Sequence, residues 1–138
     1  MQTSKILIMM ATYNGEKYLR EQLDSIINQT ITDWELIIRD DNSLDRTVDI
    51  VKEYITRDKR IQLIQNDSDF HGAYYNFFGL INAVRVQEKN YDFYMFADQD
   101  DIWDSNKLEL LQNFYHEVHT QGPTMIYADM RIIDGKGK

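Results

Sequence analysis

Three polar clusters in the sequence contain side chains that could bind a charged ligand. They are Thr12-Tyr13-Asn14, Asp40-Asp41 and the acidic stretch Asp98-Gln99-Asp100-Asp101. Each follows a run of apolar residues that is typical of a buried strand. In an open parallel sheet, ligands bind beyond the carboxyl ends of the strands. We therefore expect the three clusters, which are far apart in sequence, to meet at one rim of a sheet.

The acidic stretch has the composition of a metal site. Three carboxylates within four residues, those of Asp98, Asp100 and Asp101, repel one another. Oxygen ligands suit Mg²⁺ or Mn²⁺, and Mg²⁺ is often held by one or two carboxylates together with substrate phosphates. The alternative is a solvated helix start, since Asp104 and Ser105 follow at once.

The other two clusters are suited to recognising a nucleotide base. The carboxylate of Asp40 or Asp41 could accept a hydrogen bond from the N3–H of uracil or thymine, and Tyr13 could stack on the ring. The alternatives are an Asx turn leading into a helix for the aspartate pair and an exposed rim aromatic for Tyr13. His71 lies in a loop at the same rim and could contact phosphate, whereas His116 and His119 have no metal-binding spacing.

The pattern of the chain predicts the elements that would position these clusters. Apolar runs predict strands at 5–10, 34–38, 61–64, 91–97 and 125–128, with 131–133 extending or following the last. Apolar residues at helical spacing predict helices over 16–28, from a cap at Ser43 or Asp45 through Ile55, over 74–87 and over 104–119. Strict alternation of strand and helix favours an α/β fold, a mostly parallel sheet with helices on both faces, in one domain over 1–138.

Apolar spacing also predicts which helix residues face the core. In the third helix these are Tyr74, Phe77, Phe78, Ile81 and Val84, and the aromatic residues of 91–96 are expected in the core as well. In the last helix the expected inward residues are Leu108, Leu111, Tyr115 and Val118.

Composition excludes several classes of function. The chain has 15 Lys and Arg against 23 Asp and Glu, a net charge of −8, which argues against binding to nucleic acid. It has no cysteine, so disulfides, zinc–thiolate sites and a cysteine nucleophile are excluded. No apolar run approaches the roughly 20 residues that span a bilayer. The last residues, 134–138, look like a loop stopped midway, so we expect a longer protein.

Four motifs in this order resemble the family 2 glycosyltransferases. They are Ala11-Thr12-Tyr13-Asn14-Gly15, Gln29-Thr30, the stretch from Asp40 to Thr47 (DDNSLDRT), and the stretch from Phe96 to Trp103 (FADQDDIW). The resemblance covers nearly the whole chain, and DQDDIW is most similar to bacterial rhamnosyltransferase-type members that build cell-surface polysaccharide. It implies a GT-A (Rossmann-like) fold and an inverting transfer of sugar from a UDP- or dTDP-sugar to a glycan or lipid-linked acceptor.

The resemblance also implies roles for individual residues. Thr12 and Tyr13, with Asn14 beside them, would contact the base or ribose, and Asp40, next to Asp41, would pair with the base. Asp98 and Asp100 occupy the positions of the DXD motif, which binds Mn²⁺ or Mg²⁺. Asp100 would be the direct ligand, Asp98 would lie nearer the ribose, and Asp101 would assist.

The sequence departs from the family pattern in two places. The segment from His71 to Asn76 has no Arg or Lys, where many relatives have a basic residue near the diphosphate. No residue can be assigned as the general base, since Asp129 and Asp134 come too early, so we expect the base beyond Lys138. The chain by itself would then mainly bind donor.

Two functions of other classes remain as alternatives, a receiver-like Mg²⁺-dependent signalling domain and a nucleotide-sugar-binding module without catalysis. The full-length protein is expected in the cytoplasm, with peripheral association at the inner face of the membrane compatible with a lipid-linked acceptor.

Overall fold

The structure is a computed structural model that describes residues 4–118, 121–134 and 136. Strands and helices alternate along the chain, as the sequence predicts. The elements are β1 (Ile6–Thr12), α1 (Leu19–Ile27), β2 (Trp34–Asp40), α2 (Thr47–Arg57), β3 (Ile61–Gln65), α3 (Ala73–Val86), β4 (Phe93–Ala97) and α4 (Lys107–Val118).

The four strands form one parallel sheet in the order β3-β2-β1-β4. The central strand β1 pairs with β2 so that Thr12 lies beside Asp40, and with β4 so that Met10 lies beside Ala97. Because all strands run the same way, their carboxyl ends share one rim. The residues that follow Thr12, Asp40 and Ala97 therefore emerge together.

Alternating side chains of β1 bury against two layers of helices. Ile6, Ile8 and Met10 belong to a core cluster that includes residues of α1, α2 and α4. Leu7 and Met9 face the opposite side, where α3 packs on the sheet. The prediction of an α/β fold with helices on both faces of a parallel sheet is thus confirmed.

Two strands reach further than the apolar runs indicate. β1 and β2 continue through Thr12 and Asp40, so the first residue of each polar cluster is still paired in the sheet. The N-cap of α2 is Arg46, whose side chain makes no capping hydrogen bond, so the prediction of Ser43 or Asp45 as the cap is wrong. Asp45, one residue before the cap, accepts a hydrogen bond from the N–H of Thr47 at 2.9 Å. The predicted last helix ends at Val118 among the described residues, and His119 lies outside them.

The predicted fifth strand at 125–128, with its extension at 131–133, is wrong. Residues 121–134 contain no strand, and Met125, Tyr127 and Ile132 are between 85% and 99% exposed. A strand is stabilised by hydrogen bonds to a neighbouring strand and by burial of at least one face. This segment has neither, so apolar composition alone does not make it part of the sheet.

The predicted inward face of α3 is only partly right. Val84 is buried, but Tyr74, Phe78 and Ile81 are exposed, and the helix buries Asn76 and Leu80 instead. A polar side chain takes the inward position because Asn76 donates a hydrogen bond to the carbonyl of Thr12 at 3.1 Å.

Two further predictions about the core need correction. On β4, Tyr94 and Phe96 are exposed rather than buried. On α4, Leu108 is buried, whereas Val118 is 41% exposed. Phe96 nevertheless packs edge-on against Phe77 of α3, with ring centroids 5.5 Å apart. No helix in the described part of the chain is long and apolar enough to cross a membrane.

Candidate functional site

A cavity of about 590 Å³ lies at the carboxyl ends of the strands. Its walls come from the residues after β1, β2 and β4 and from the start of α3. Among the residues predicted to form a site, those that line it are Thr12, Tyr13, Asp41, Asp98, Asp100 and His71. Asn14, Asp40 and Asp101 do not line it. The three polar clusters therefore do converge, although each contributes only part of its residues.

Asp40 is fully buried and takes no part in the cavity wall. Its carboxylate accepts hydrogen bonds from the hydroxyl of Thr12 at 2.9 Å and from the hydroxyl and N–H of Ser43 at 2.6 and 2.8 Å. The bond to the N–H of Ser43 spans three residues rather than the two of the predicted Asx turn, but it likewise ties the carboxylate to the loop before α2. A base could reach Asp40 only by displacing these donors.

Asp41 lines the cavity, and protein donors hold its orientation. Its Oδ1 accepts from the Nδ2 of Asn66 at 2.6 Å and lies 2.8 Å from the Nδ1 of His71, and its Oδ2 accepts from the N–H of Gly72 at 2.7 Å. Burial raises the pKa of the Asp41 carboxyl, but the hydrogen bonds from Gly72, Asn66 and His71 outweigh it and hold the pKa below its usual value. Asp41 is therefore a fixed anion at the cavity wall.

Asn14 joins the loops that follow β1 and β2. Its N–H donates to the hydroxyl of Ser43 at 2.9 Å, and its Oδ1 accepts from the N–H of Leu44 at 2.8 Å. Asn14 has a φ of 45° and Asn42 a φ of 58°, a left-handed conformation that asparagine tolerates better than most residues. In the structure Asn14 therefore braces the loops beside the cavity.

Tyr13 presents a half-exposed ring at the cavity, and Gln99 holds its backbone. The N–H of Tyr13 donates to the Oε1 of Gln99 at 2.9 Å, and the Nε2 of Gln99 donates to the carbonyl of Tyr13 at 3.0 Å. Gly15 permits this approach, because a Cβ there would lie 2.3 Å from the Oε1 of Gln99. The sequence analysis did not assign Gln99 a role, although its position between Asp98 and Asp100 was a signal.

The acidic stretch has little hydrogen bonding of its own. Among the described residues, none donates a hydrogen bond to the carboxylates of Asp98, Asp100 or Asp101. Burial, and next the charges of Asp101 and Asp100, raise the pKa of the Asp98 carboxyl above its ordinary value, while Lys107 opposes the rise. An added cation would relieve this repulsion.

The carboxylates do not by themselves form a closed metal cage. Within residues 4–118, 121–134 and 136, no group of three or more His, Cys, Asp or Glu side chains is arranged to hold a metal ion. Asp98 and Asp100 nevertheless both line the cavity. Two carboxylates beside an open space fit a cation that takes its remaining ligands from a phosphate and water.

Arg39 is a second residue whose importance the sequence analysis did not recognise. It is the last residue but one of β2, is 7% exposed, and donates to the Oδ1 atoms of Asn76 at 2.9 Å and Asn66 at 2.6 Å. Gly79 makes room for the guanidinium, since a Cβ there would lie 2.6 Å from its Cζ. The Arg-Asp-Asp sequence, a charged residue at the end of an apolar strand, was the available signal.

Comparison with known proteins identifies the family of this chain. The profile of glycosyl transferase family 2 matches residues 7–132. The dTDP-rhamnosyl transferase RfbG of Shigella flexneri is 43% identical over 101 residues, covering 72% of this chain and 34% of that protein. The UDP-Glc:alpha-D-GlcNAc-diphosphoundecaprenol beta-1,3-glucosyltransferase WfgD of Escherichia coli is 35% identical over 105 residues, covering 76% of this chain and 38% of that protein. The chain thus spans about a third of the length of these curated relatives.

Solved structures show the same fold. The S. aureus TarS fragment 1-349 in complex with UDP-GlcNAc superposes with a TM-score of 0.67 at 26% identity, over 89% of this chain and 37% of that one. Since the family profile extends over nearly the whole chain, and the fold matches a solved glycosyltransferase, the chain belongs to glycosyl transferase family 2.

Proposed function

We propose that this chain binds the donor of a glycosyltransferase that moves a sugar from a UDP- or dTDP-sugar to a glycan or lipid-linked acceptor in cell-surface polysaccharide synthesis. The observation that carries the proposal is the single cavity into which Tyr13, Asp41, Asp98 and Asp100 all project from separate loops. The ring of Tyr13 could stack on a base, and the fixed carboxylate of Asp41 could accept from its N–H. The carboxylates of Asp98 and Asp100, which have no hydrogen-bond donor among the described residues, could hold a metal-bound diphosphate.

The base would bind at the Tyr13–Asp41 side of the cavity. The ring of Tyr13 is available for stacking, because it is 52% exposed and only its backbone is engaged by Gln99. Of the two neighbouring aspartates, we assign the contact with the base N3–H to Asp41, since it lines the cavity and Asp40 is fully buried. Thr12 would lie beside the base, while Asp40 and Asn14 would support these contacts from behind.

The diphosphate would bind at the acidic stretch that follows β4. Asp100, with Asp98 nearer the ribose and Asp101 behind them, would hold Mn²⁺ or Mg²⁺, which supplies positive charge that stabilises the leaving diphosphate. The raised pKa of the Asp98 carboxyl supports this assignment, as does the fact that no described residue donates a hydrogen bond to the three carboxylates.

The proposed reaction is a transfer with inversion. The acceptor hydroxyl attacks the anomeric carbon from the face opposite the diphosphate. The bond from that carbon to the diphosphate oxygen breaks as the new glycosidic bond forms, and the proton of the hydroxyl passes to a base. We assign that base to no described residue, and the expected position beyond Lys138 lies outside them. The part played by this chain is to hold the donor with its anomeric carbon open to attack.

Relatives support the choice of donor and acceptor class. RfbG is described as a dTDP-rhamnosyl transferase, TarS is solved with UDP-GlcNAc, and WfgD uses a diphosphoundecaprenol acceptor by name. A pyrimidine diphosphate sugar is common to all three. We therefore propose UDP or dTDP as the nucleotide and a saccharide, free or lipid-linked, as the acceptor.

The receiver-like alternative does not agree with the strand order. In the flavodoxin-like order of receiver domains, the first strand lies between the second and third. Here β1 lies between β2 and β4, and β3 is at the edge. The remaining alternative, a binding module without catalysis, would share the donor site, so donor binding has to be measured before transfer.

A thermal-shift series with UDP, dTDP and a purine diphosphate, each with and without Mn²⁺, tests the proposal. We expect UDP or dTDP to stabilise the chain more with Mn²⁺ than without it. At a ligand concentration ~100 times the dissociation constant, the added stability is roughly 2.7 kcal/mol. Equal stabilisation by all three nucleotides, or none by any, would contradict the proposed donor site.

A further inference from the structure

Arg39 is buried, and no described residue supplies it with an anionic hydrogen-bond partner. Its guanidinium is always charged, and a buried cation is costly unless it is well paired. In the described part of the chain, its two hydrogen-bond acceptors are side-chain amide oxygens, those of Asn66 and Asn76. The cost of burying this charge must be offset by other contacts. The amide nitrogens of Asn66 and Asn76 make such contacts, with Asp41 and with the carbonyl of Thr12.

Asn66 connects the guanidinium to the cavity. Its Oδ1 faces Arg39 at 2.6 Å, and its Nδ2 donates to the Oδ1 of Asp41, also at 2.6 Å. The N–H and hydroxyl of Ser68 also donate to the Oδ1 of Asn66, at 2.9 and 2.7 Å. These bonds identify which end of the Asn66 amide is the oxygen. The amide thus has its oxygen toward a cation and its N–H toward an anion, so both bonds are charge-assisted.

The chain of contacts continues to His71. The Oδ1 of Asp41 that accepts from Asn66 also lies 2.8 Å from the Nδ1 of His71, and both Asp41 and His71 line the cavity. Asn76, the other partner of Arg39, donates from its Nδ2 to the carbonyl of Thr12. One buried guanidinium therefore orients groups on two sides of the cavity.

We propose that Arg39 is a positioning residue of this cavity, which acts through the amides of Asn66 and Asn76 to set the orientation of Asp41 and the tautomer of His71. With Asp41 held as an anion, the neutral form of His71 carries its proton on Nδ1, which leaves Nε2 as the acceptor nitrogen of a ring that lines the cavity. Only the choice of uridine as the ligand rests on the proposed function. The tautomer of His71 is a property of the free protein and can be measured without a ligand.

The experiment compares Arg39→Met with Arg60→Met as a matched control. Arg60 is also partly buried and hydrogen-bonded, to Asp58 and to the carbonyl of Thr32, but it lies over Trp34 at the amino end of the sheet, away from the cavity. Long-range ¹H–¹⁵N spectra of the free 138-residue chain report the tautomer of His71, with the signal assigned by its loss in His71→Ala. Uridine affinity is measured by calorimetry without metal.

We expect Arg39→Met to lose the preference for the Nδ1-protonated tautomer and to bind uridine about tenfold more weakly. Arg60→Met is expected to keep the His71 tautomer and the uridine affinity, even if its melting temperature falls as much as that of Arg39→Met. If Arg39→Met keeps both, Arg39 is only a structural residue and the inference is overturned.

If Arg39→Met does not fold, Arg39→Lys decides the question. Lysine keeps the charge but lacks the planar fork that reaches two amides at once. A folded Arg39→Lys with a weakened tautomer preference supports the inference, and one with an unchanged tautomer and unchanged uridine affinity overturns it. If the unsubstituted chain does not bind uridine, the proposed donor site fails, but the tautomer measurements still decide the role of Arg39.

Discussion

The Asp40–Asp41 pair and the acidic stretch 98–101 lie at the same rim of the sheet but differ in how their carboxylates are satisfied. Asp40 and Asp41 accept three hydrogen bonds each, all from protein donors. The three carboxylates of the stretch accept none from the described residues, and the pKa of Asp98 is raised rather than lowered. Aspartates in equally conspicuous motifs thus differ in how they are held. Protein donors fix the carboxylates of Asp40 and Asp41, of which only Asp41 lines the cavity, whereas the carboxylates of the acidic stretch have no donor among the described residues.

The largest expected effect is on stability, from Asp40→Ala. This change leaves the buried hydroxyl of Thr12 and the hydroxyl and N–H of Ser43 without their acceptor. Unsatisfied buried donors cost about 1–3 kcal/mol each, so we expect the free energy of unfolding to fall by roughly 3–5 kcal/mol. Urea denaturation measures this loss. A loss below about 1 kcal/mol would show that Asp40 is not part of the scaffold.

Asp100→Asn should behave in the opposite way. Because this carboxylate accepts no hydrogen bond from the described residues and is repelled by its neighbours, its neutralisation should leave the stability of the free protein unchanged or slightly higher. The extra stabilisation by UDP or dTDP with Mn²⁺, roughly 2.7 kcal/mol at 100 times the dissociation constant, should disappear. Thermal shift with and without Mn²⁺ is the measurement. If the variant keeps the extra stabilisation that Mn²⁺ gives in the presence of nucleotide, Asp100 is not a ligand of the metal.

Glu35, near the amino end of β2, is another carboxylate that accepts hydrogen bonds from protein donors, as Asp40 and Asp41 do. Burial raises the pKa of its carboxyl, but hydrogen bonds from Lys5, Tyr91 and Lys89 outweigh this and lower the pKa to about 2. A carboxyl whose pKa is depressed in the folded protein contributes stability above its unfolded pKa and loses it as the pH falls. We expect ~1–3 kcal/mol to be lost between about pH 4.5 and pH 2. In Glu35→Gln this part of the pH dependence of unfolding should be absent, whereas an unchanged profile would assign it to other carboxyls.

The smallest expected effect separates Asp101 from its neighbours. Asp101 does not line the cavity, although its charge acts on Asp98. Asp101→Asn should therefore change metal-dependent nucleotide affinity only about twofold, within ~0.5 kcal/mol. Calorimetry with UDP and Mn²⁺ measures it. A loss as large as that of Asp100→Asn would mean that the metal site uses a different pair of carboxylates.

Sequence patterns predicted the elements and the rim at which the clusters meet, because buried parallel strands have long apolar runs and polar residues follow them directly. They could not separate Asp40 from Asp41. Asp40 is the last residue of β2 and Asp41 is the first residue beyond it. That Thr12 and Ser43 satisfy Asp40 depended on the register between β1 and β2 and on the turn after β2.

The remaining errors also have physical causes. Helical spacing placed Tyr74 and Phe78 inward because hydrophobicity was the only guide, whereas α3 turns Asn76 inward to bond Arg39 and Thr12. The apolar residues of 125–133 looked like a strand, but no partner strand is available to them within the described part of the chain. Hydrogen-bond partners distant in sequence decide such cases, and local composition does not contain them.

The close approach of Gly15 and Gln99 restricts the order in which these two positions can change. A Cβ at position 15 would lie 2.3 Å from the Oε1 of Gln99, so the amide would have to move and give up its two hydrogen bonds to the backbone of Tyr13. Replacing Gly15 first is therefore harmful, but replacing it after Gln99 has been shortened avoids the collision. The two substitutions are non-additive. Libraries that diversify the loops around the cavity should vary positions 15 and 99 jointly, and related sequences should show correlated changes at this pair.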